Sequence, residues 1–320
     1  MSKTRRDLIK NTALAAGAAA LLTKTAKAEG EQKPIFMDLF PKGWRNERIK
    51  TTGAEINAVI GGSGPPVLMF HGAPQSLITW RIIAPDLAKD YTLVLCDLRG
   101  YGDSSKPADG DNHSNYSKRP MALDGVEVME HLGFRQFRMV GHDRGGRVGT
   151  RMALDHPDRV QKLAVLDIIP AWYLYSHVNL AFVRAYPHWF NDLLPSPKPE
   201  NDIKAQNEAQ LARATDPVQK EYLRTSATPE AIHAMCEDYR ASASIDLDMD
   251  NADLKAGKKI QCPLIALWAD KNQVNHIFNP MDAWSVMGVN VKGKALPGSH
   301  SLQESAPKET LAELQAFLKG

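Results

Sequence analysis

The sequence predicts an α/β fold, a mostly parallel central sheet with an inserted helical cap. Short apolar runs of strand length recur along the chain and alternate with helical or loop segments, the pattern of a parallel sheet covered on both faces. The strand signal then vanishes over residues 170–257, where the chain turns helical, aromatic and charged. It returns near residue 263, and the chain closes on an amphipathic helix.

Taken in order, residues 47–60 read as a hairpin, 65–70 as a buried strand, and 92–98 and 136–140 as two more. Residues 149–155 read as a helix, 160–168 and 263–268 continue the series of apolar strands, and a last strand ends just before Leu296. Residues 306–318 space their apolar side chains as a helix does. Breaker clusters at 195–199 and at Thr228-Pro229 divide the helical stretch. The expected organisation is therefore a core of residues 29–169 and 258–320, with 170–257 as an all-helical cap over the carboxyl ends of the strands. The sequence contains neither an internal repeat nor a low-complexity segment.

Residues 1–28 are set apart from this fold. Arg5-Arg6, an apolar stretch over 13–22 and Ala26-Lys27-Ala28 have the layout of a twin-arginine export signal with a small-residue cleavage site. The apolar stretch is shorter than the ~20 residues that span a bilayer, which argues against an anchor. This segment implies the twin-arginine export machinery as a partner and the periplasm as the destination. It also holds six of the 39 basic residues and one of the 37 acidic ones, so the remainder carries a formal charge of −3. A nucleic-acid partner is not expected of such a balance. Three cysteines, Cys96, Cys236 and Cys262, are too few for a disulfide framework.

The chemistry is signalled by the run Val140-Gly141-His142-Asp143-Arg144-Gly145-Gly146. It lies between a strand and a helix and has the small residues of a sharp strand-turn-helix elbow, the turn that in hydrolases normally presents a serine. An aspartate replaces it. Read alone, Asp143 could be a helix N-cap. Read as a nucleophile, a carboxylate needs no base to attack carbon. The order nucleophile, acid, histidine then directs attention downstream. His300 lies in the turn Gly298-Ser299-His300 ahead of the last helix, and two acids sit near strand ends, Asp167 and Asp270. Asp167 is favoured, because Asp270 falls early after Leu267-Trp268 and is followed by Lys271 and Asn272.

With these stretches, the chain resembles the fluoroacetate (haloacetate) dehalogenase branch of the α/β-hydrolase superfamily over nearly everything after residue 28. The matching residues include His71-Gly72-Ala73-Pro74, residues 97–104, Gly141-His142-Asp143-Arg144 with Arg147, residues 166–170, His188-Trp189, Asp238-Tyr239-Arg240 and Gly298-Ser299-His300. The discriminating part is Asp-Arg-x-x-Arg together with the His-Trp pair and the tyrosine. A haloacetate is an anion, so Arg144 and Arg147, three apart at a helix start, suit its carboxylate through charge-assisted bonds. The resemblance implies that His188, Trp189 and Tyr239 hydrogen-bond the departing halide. It implies hydrolysis in two steps, displacement of halide by Asp143 and then attack on the ester by water activated by His300, which Asp167 orients. Backbone N–H groups of Ala73 and Arg144 would hold the oxyanion, while His71 and Pro74 shape that loop.

Neither a metal nor an organic cofactor is expected, because the cysteines and histidines lack ligand spacing and the glycine-rich elbow is no dinucleotide fingerprint. The expected partners are a small haloacid, the export machinery and, as an option, a second copy of the chain in a homodimer. The nearest alternative is an epoxide hydrolase using the same aspartate, with Tyr239 and one of Tyr173, Tyr175 or Tyr186 as proton donors. Two arginines beside the nucleophile would have no purpose for a neutral epoxide. A haloalkane dehalogenase fits less well, because tryptophan normally follows its nucleophile and Arg144 does so here. A non-catalytic receptor for a carboxylate ligand would not need Asp143, Asp167 and His300 together. Pro187, just before His188, restricts the backbone there and could favour chloride or bromide as leaving group.

Overall fold

Eight strands form one sheet: β1 (Arg45–Thr51), β2 (Ala54–Gly62), β3 (Pro66–Phe70), β4 (Thr92–Cys96), β5 (Phe137–His142), β6 (Val160–Leu166), β7 (Leu264–Ala269) and β8 (Val291–Leu296). The computed structural model describes residues 35–320. Residues 1–37 make a unit of their own, of which only 35–37 are described, the start of a 3-10 turn at Ile35–Leu39; residues 38–320 make the other. The export signal expected at 1–28 lies outside the described residues.

The strand order is β1-β2-β4-β3-β5-β6-β7-β8. The first two strands are the expected hairpin, and β2 runs antiparallel to β4. From β4 onward every neighbouring pair is parallel. The inner parallel strands are covered on both faces and are mostly apolar: Val67, Leu68, Met69, Met139, Val140, Leu163 and Ala164 are fully buried, whereas the edge strand β8 exposes Lys292 and Lys294. Each large side chain so placed contributes about 1.5–3 kcal/mol. Because β4 lies on one side of β3 and β5 on the other, the chain reverses direction across β3. A crevice opens at such a reversal, beyond the carboxyl ends of β3 and β5.

Two elements run longer than the sequence pattern indicates. β5 extends to His142, and the helix after it spans Arg144–Asp155 and not only its second half. Gly145, Gly146 and Gly149 weaken the helical signal over its first turns. The glycines answer to packing: a Cβ on Gly141 would lie 2.4 Å from the Gly145 carbonyl oxygen, and one on Gly145 would lie 2.4 Å from that of Phe70.

Residues between β6 and β7 are helical: Ala171–Ser176, Leu180–Ala185, His188–Asn191, Lys198–Leu211, Pro217–Ser226, Pro229–Ser242 and Ile245–Lys255. Both breaker clusters are helix starts. Thr228 is an N-cap that accepts from the Ala231 N–H at 3.2 Å with Pro229 following, and the 195–199 cluster leads into the helix carrying Pro199 in its first turn. An aromatic cluster of Phe182, Trp189, Tyr239 and Phe278 packs beneath, with Ile169 and Leu174. Pro307–Lys319 is the closing helix. Among the described residues no helix is long and apolar enough to cross a membrane.

Candidate active site

Asp143 stands at the crevice, directly after β5. Its φ of 48° and ψ of −117° are a backbone conformation that non-glycine residues rarely adopt, and it persists because packing on both sides of the turn holds it. The residue is 7% exposed. Its Oδ1 accepts the Ala73 N–H at 3.0 Å, from the loop that follows β3. That loop is fixed by His71, fully buried, whose Nδ1–H donates to the Gly72 carbonyl at 2.8 Å and whose Nε2 accepts the Leu98 N–H at 3.1 Å. Burial pushes the His71 imidazole toward its neutral form, as this bonding pattern requires. Of the two expected oxyanion donors, Ala73 points at Asp143 in this way; the Arg144 N–H makes no hydrogen bond to the carboxylate.

The acid that meets the histidine is Asp167. His300 Nδ1–H donates to Asp167 Oδ2 at 2.7 Å, and His300 Nε2 lies 3.7 Å from Asp143 Oδ2. Asp270 is exposed and caps the Gly298 N–H at 3.1 Å. The pairing follows from strand order: β6 and β7 are parallel neighbours with Leu166 beside Leu267, so the residue after β6 emerges beside the end of β7. Asp167 is itself in a left-handed conformation, φ 49°. Its other oxygen accepts the Ala269 N–H at 2.8 Å and Asn275 Nδ2 at 2.7 Å, and Asn272 Nδ2 also donates to Oδ2. Burial alone would raise its pKa, but the His300 bond and these donors hold it below the ordinary value. Burial likewise opposes a charge on His300, and the Asp167 bond with the two nearby carboxylates raises its pKa above the ordinary value. For Asp143, burial is outweighed by His300, His142, Arg144 and Arg147, which hold the carboxyl well below the usual range.

Asn272 and Asn275 escaped the sequence reading. Their one signal was that Lys271 and Asn272, and not an acid, follow Asp270 after Leu267-Trp268. His142 was missed too: its Nε2–H donates to the His300 carbonyl at 3.0 Å, and its ring packs 4.7 Å from the His300 ring.

A cavity of about 670 Å³ reaches from Asp143, Asp167 and His300 to the helices between β6 and β7. His188, Trp189 and Tyr239 line it, so the structure brings this trio to the cavity that holds Asp143. Pro187 does not turn them away. It adopts a helical conformation and starts the short helix that carries His188 and Trp189. Burial pushes the Tyr239 phenol up to about 12, so it remains a donor at neutral pH. Trp189 and Tyr239 meet edge to face at 5.6 Å.

Both arginines lie behind these rings. Arg144 Cζ is 3.6 Å from the Tyr239 ring centroid and Arg147 Cζ is 4.5 Å from that of Trp189. Arg144 is 0% exposed and Arg147 4%, and neither reaches the cavity surface in this arrangement. Arg144 Nη1 bonds Ser242 Oγ at 2.8 Å and approaches Asp238 Oδ1 at 3.4 Å. Asp238 is shared: it also accepts from Lys118 and, at 2.6 Å, from the Tyr101 hydroxyl. Arg147 Nη2 bonds only the Ile169 carbonyl, at 3.2 Å, and among the described residues no carboxylate pairs with it. Nε and Nη2 of Arg144 and Nε and Nη1 of Arg147 are buried without a partner.

Asp109, His233 and Glu237 bring ligand atoms within 4.8 Å of one another, and none of them lines the cavity. His233 bonds Asp109 and Glu200, His113 bonds Glu237, and the Arg240 guanidinium joins Glu237 at 2.7 Å to Glu200 at 2.9 Å. A resident guanidinium makes this an ion-pair network unsuited to a divalent cation.

The profile of the alpha/beta hydrolase fold family matches residues 65–279. A fluoroacetate dehalogenase of a Burkholderia species is 42% identical over 289 residues, 87% of this chain and 94% of that protein. A soluble epoxide hydrolase of a Corynebacterium species is 30% identical over 80% of this chain and 91% of its own length. Among solved structures, an alpha/beta-hydrolase assignment from a Nostoc species superimposes with a TM-score of 0.82 at 45% identity, covering 86% of this chain and 98% of that one.

Proposed function

The chain belongs to the alpha/beta-hydrolase fold family, in its fluoroacetate-dehalogenase branch, and on that premise we propose that it hydrolyses haloacetates, fluoroacetate or chloroacetate, to glycolate and halide. The observation that carries the reading is a pair of buried guanidiniums with four unpartnered nitrogens beside a buried, ionised aspartate. Buried charge is costly unless it is paired, and Arg147 lacks an anion. A small carboxylate that displaced the rings stacked on the arginines would satisfy those donors and place its α-carbon at Asp143. An epoxide would leave them unsatisfied.

In the first step Asp143 Oδ2 attacks the α-carbon in line with the carbon–halogen bond, whose electron pair leaves on the halide. His188, Trp189 and Tyr239 donate to the departing anion, where charge develops in the transition state. The product is a glycolyl ester on Asp143. In the second step His300 Nε2 takes a proton from water, and the oxygen attacks the ester carbonyl carbon. The oxyanion develops on Oδ1, the atom already held by the Ala73 N–H. Collapse expels the glycolate alkoxide, which takes the proton from His300, and the Asp143 carboxyl, held well below the usual range, releases the second proton of the water to solvent as it returns to carboxylate. The 3.7 Å between His300 Nε2 and Asp143 Oδ2 is too long for a hydrogen bond and suits a base that acts through water.

Residues 1–28 direct the protein, in this reading, through the twin-arginine machinery to the periplasm; the support is the Arg5-Arg6 pair with its apolar stretch and small-residue end. Cell fractionation of Arg5→Lys/Arg6→Lys against wild type tests that. The reaction is tested by halide release from fluoroacetate, chloroacetate and bromoacetate, with chloroacetamide and styrene oxide as neutral controls. Release from the acids and not from the amide is expected. Diol from styrene oxide with no halide from any acid would overturn the reading.

A further inference from the structure

Of the buried carboxylates that line the cavity, Asp143 and Asp167 have their tasks and Asp192 has none. Asp192 ends the helix that carries the halide-facing pair, four residues after His188, so the two side chains share a face. It is 7% exposed, and its carboxyl makes no hydrogen bond or ion pair among the described residues. Its oxygens are not among the fully buried unpartnered atoms, so the carboxyl opens on the cavity and is available to a ligand there.

The groups around it explain why. Close enough to act on its charge are Arg144 on the helix after the elbow, Glu200 on Lys198–Leu211, and Cys236, Tyr239 and Arg240 on Pro229–Ser242. His188 belongs to its own helix, and Asp202 shares the cavity wall. Arg240 is committed to Glu237, Glu200 and the Leu194 carbonyl, and Arg144 engages Ser242 and Asp238 through Nη1 alone. Neither cation bonds Asp192. Burial therefore dominates and raises its pKa to about 6, with the two arginines opposing and Glu200 adding to the rise.

We propose that Asp192 takes up a proton when the haloacid binds and, as a neutral acid, donates its O–H to the bound anion, so that binding is coupled to protonation. Ionised, the same group is a like charge in the cavity that competes with the substrate for Arg144. Protonated, it adds a short O–H···O⁻ bond of the strong, charge-assisted kind. The inference rests on the haloacid reading of the cavity, and it makes Asp192 a specificity determinant for small monoanionic acids.

Acetate, an unreactive anion of the right size, is the probe. Calorimetric titration across pH 5.5–8 in buffers of different ionisation enthalpy gives its affinity and the number of protons taken up. Wild type is expected to lose affinity about tenfold per pH unit above pH ~6 and to take up about one proton near pH 7. Asp192→Asn keeps the shape and removes the titration: its slope is expected to flatten and its proton uptake to fall by about the same one proton. Asp192→Leu provides a second neutral variant for the same comparison. Proton uptake and slope equal in wild type and both variants would overturn the proposal while leaving the dehalogenase reading intact. Wild type that binds no acetate at any pH would also overturn it, and the failure would then lie with the anion site itself.

Discussion

Replacing Asp167 with asparagine is expected to separate the two chemical steps. The carboxylate receives two donors on each oxygen: the Ala269 N–H and Asn275 on Oδ1, His300 and Asn272 on Oδ2. An amide has one acceptor oxygen, and its NH₂ must face one of these pairs. The Ala269 N–H belongs to the backbone and cannot turn, so the amide oxygen goes there and the NH₂ faces His300. His300 then accepts at Nδ1 and carries its proton on Nε2, where it cannot take one from water. Asparagine in place of the aspartate of a hydrolytic triad costs on the order of 10⁴ in kcat for this reason. That corresponds to about 5 kcal/mol of barrier. The donors left facing the NH₂ add a stability loss of about 1–3 kcal/mol. Displacement of halide does not use His300, so it should survive. Rapid-quench measurement with chloroacetate is expected to give a burst of one halide per protein followed by very slow turnover. Intact mass should then show a gain of about 58 Da, the glycolyl ester on Asp143. Undiminished steady turnover in Asp167→Asn, or slow turnover with neither burst nor adduct, would refute the reasoning.

His300→Ala should trap the same ester more completely, because no imidazole remains in either tautomer; mass analysis of a tryptic digest should place it on the peptide containing Asp143. Arg147→Leu removes a buried cation that lacks an anion, so its thermal midpoint should hold or rise while acetate affinity falls about tenfold to a hundredfold, the worth of one to two charge-assisted bonds. A lowered midpoint with unchanged affinity would mean that Arg147 serves the fold alone. The pH dependence should divide between kinetic constants. His300 must be neutral to act as base, and its pKa is raised, so kcat should rise with pH through a value above the ordinary 6.5 when ester hydrolysis limits turnover. The constant kcat/KM ends at halide displacement, which does not need His300; its rise should be absent and its alkaline fall should follow Asp192. Steady-state profiles over pH 5–9 check both.

The elbow was legible because its determinants are local. Glycines at 141 and 145 are demanded by atoms within one turn and one neighbouring strand, and the aspartate among them states what will attack. The apolar runs likewise announced the strands, since a strand buried on both faces has little freedom in composition. The helix starting at Arg144 was harder to see, because the glycines that let it pack also erase its helical signal.

What spacing could not decide is which distant groups meet. Asp167 and His300 are 133 residues apart, and both Asp167 and Asp270 follow sheet strands. Strand order and the β6–β7 register put Asp167 on the imidazole and Asn272 and Asn275 on Asp167. Tertiary packing also decided that Asp238 bridges Arg144 and Lys118, that Arg147 has no counter-ion, and that Asp192 is open to the cavity. Residue identity fixes how many bonds a group can make and what charge it can hold. Whether those bonds are made depends on which atoms the fold places within about 3 Å, and the fold sets that across elements far apart in the chain.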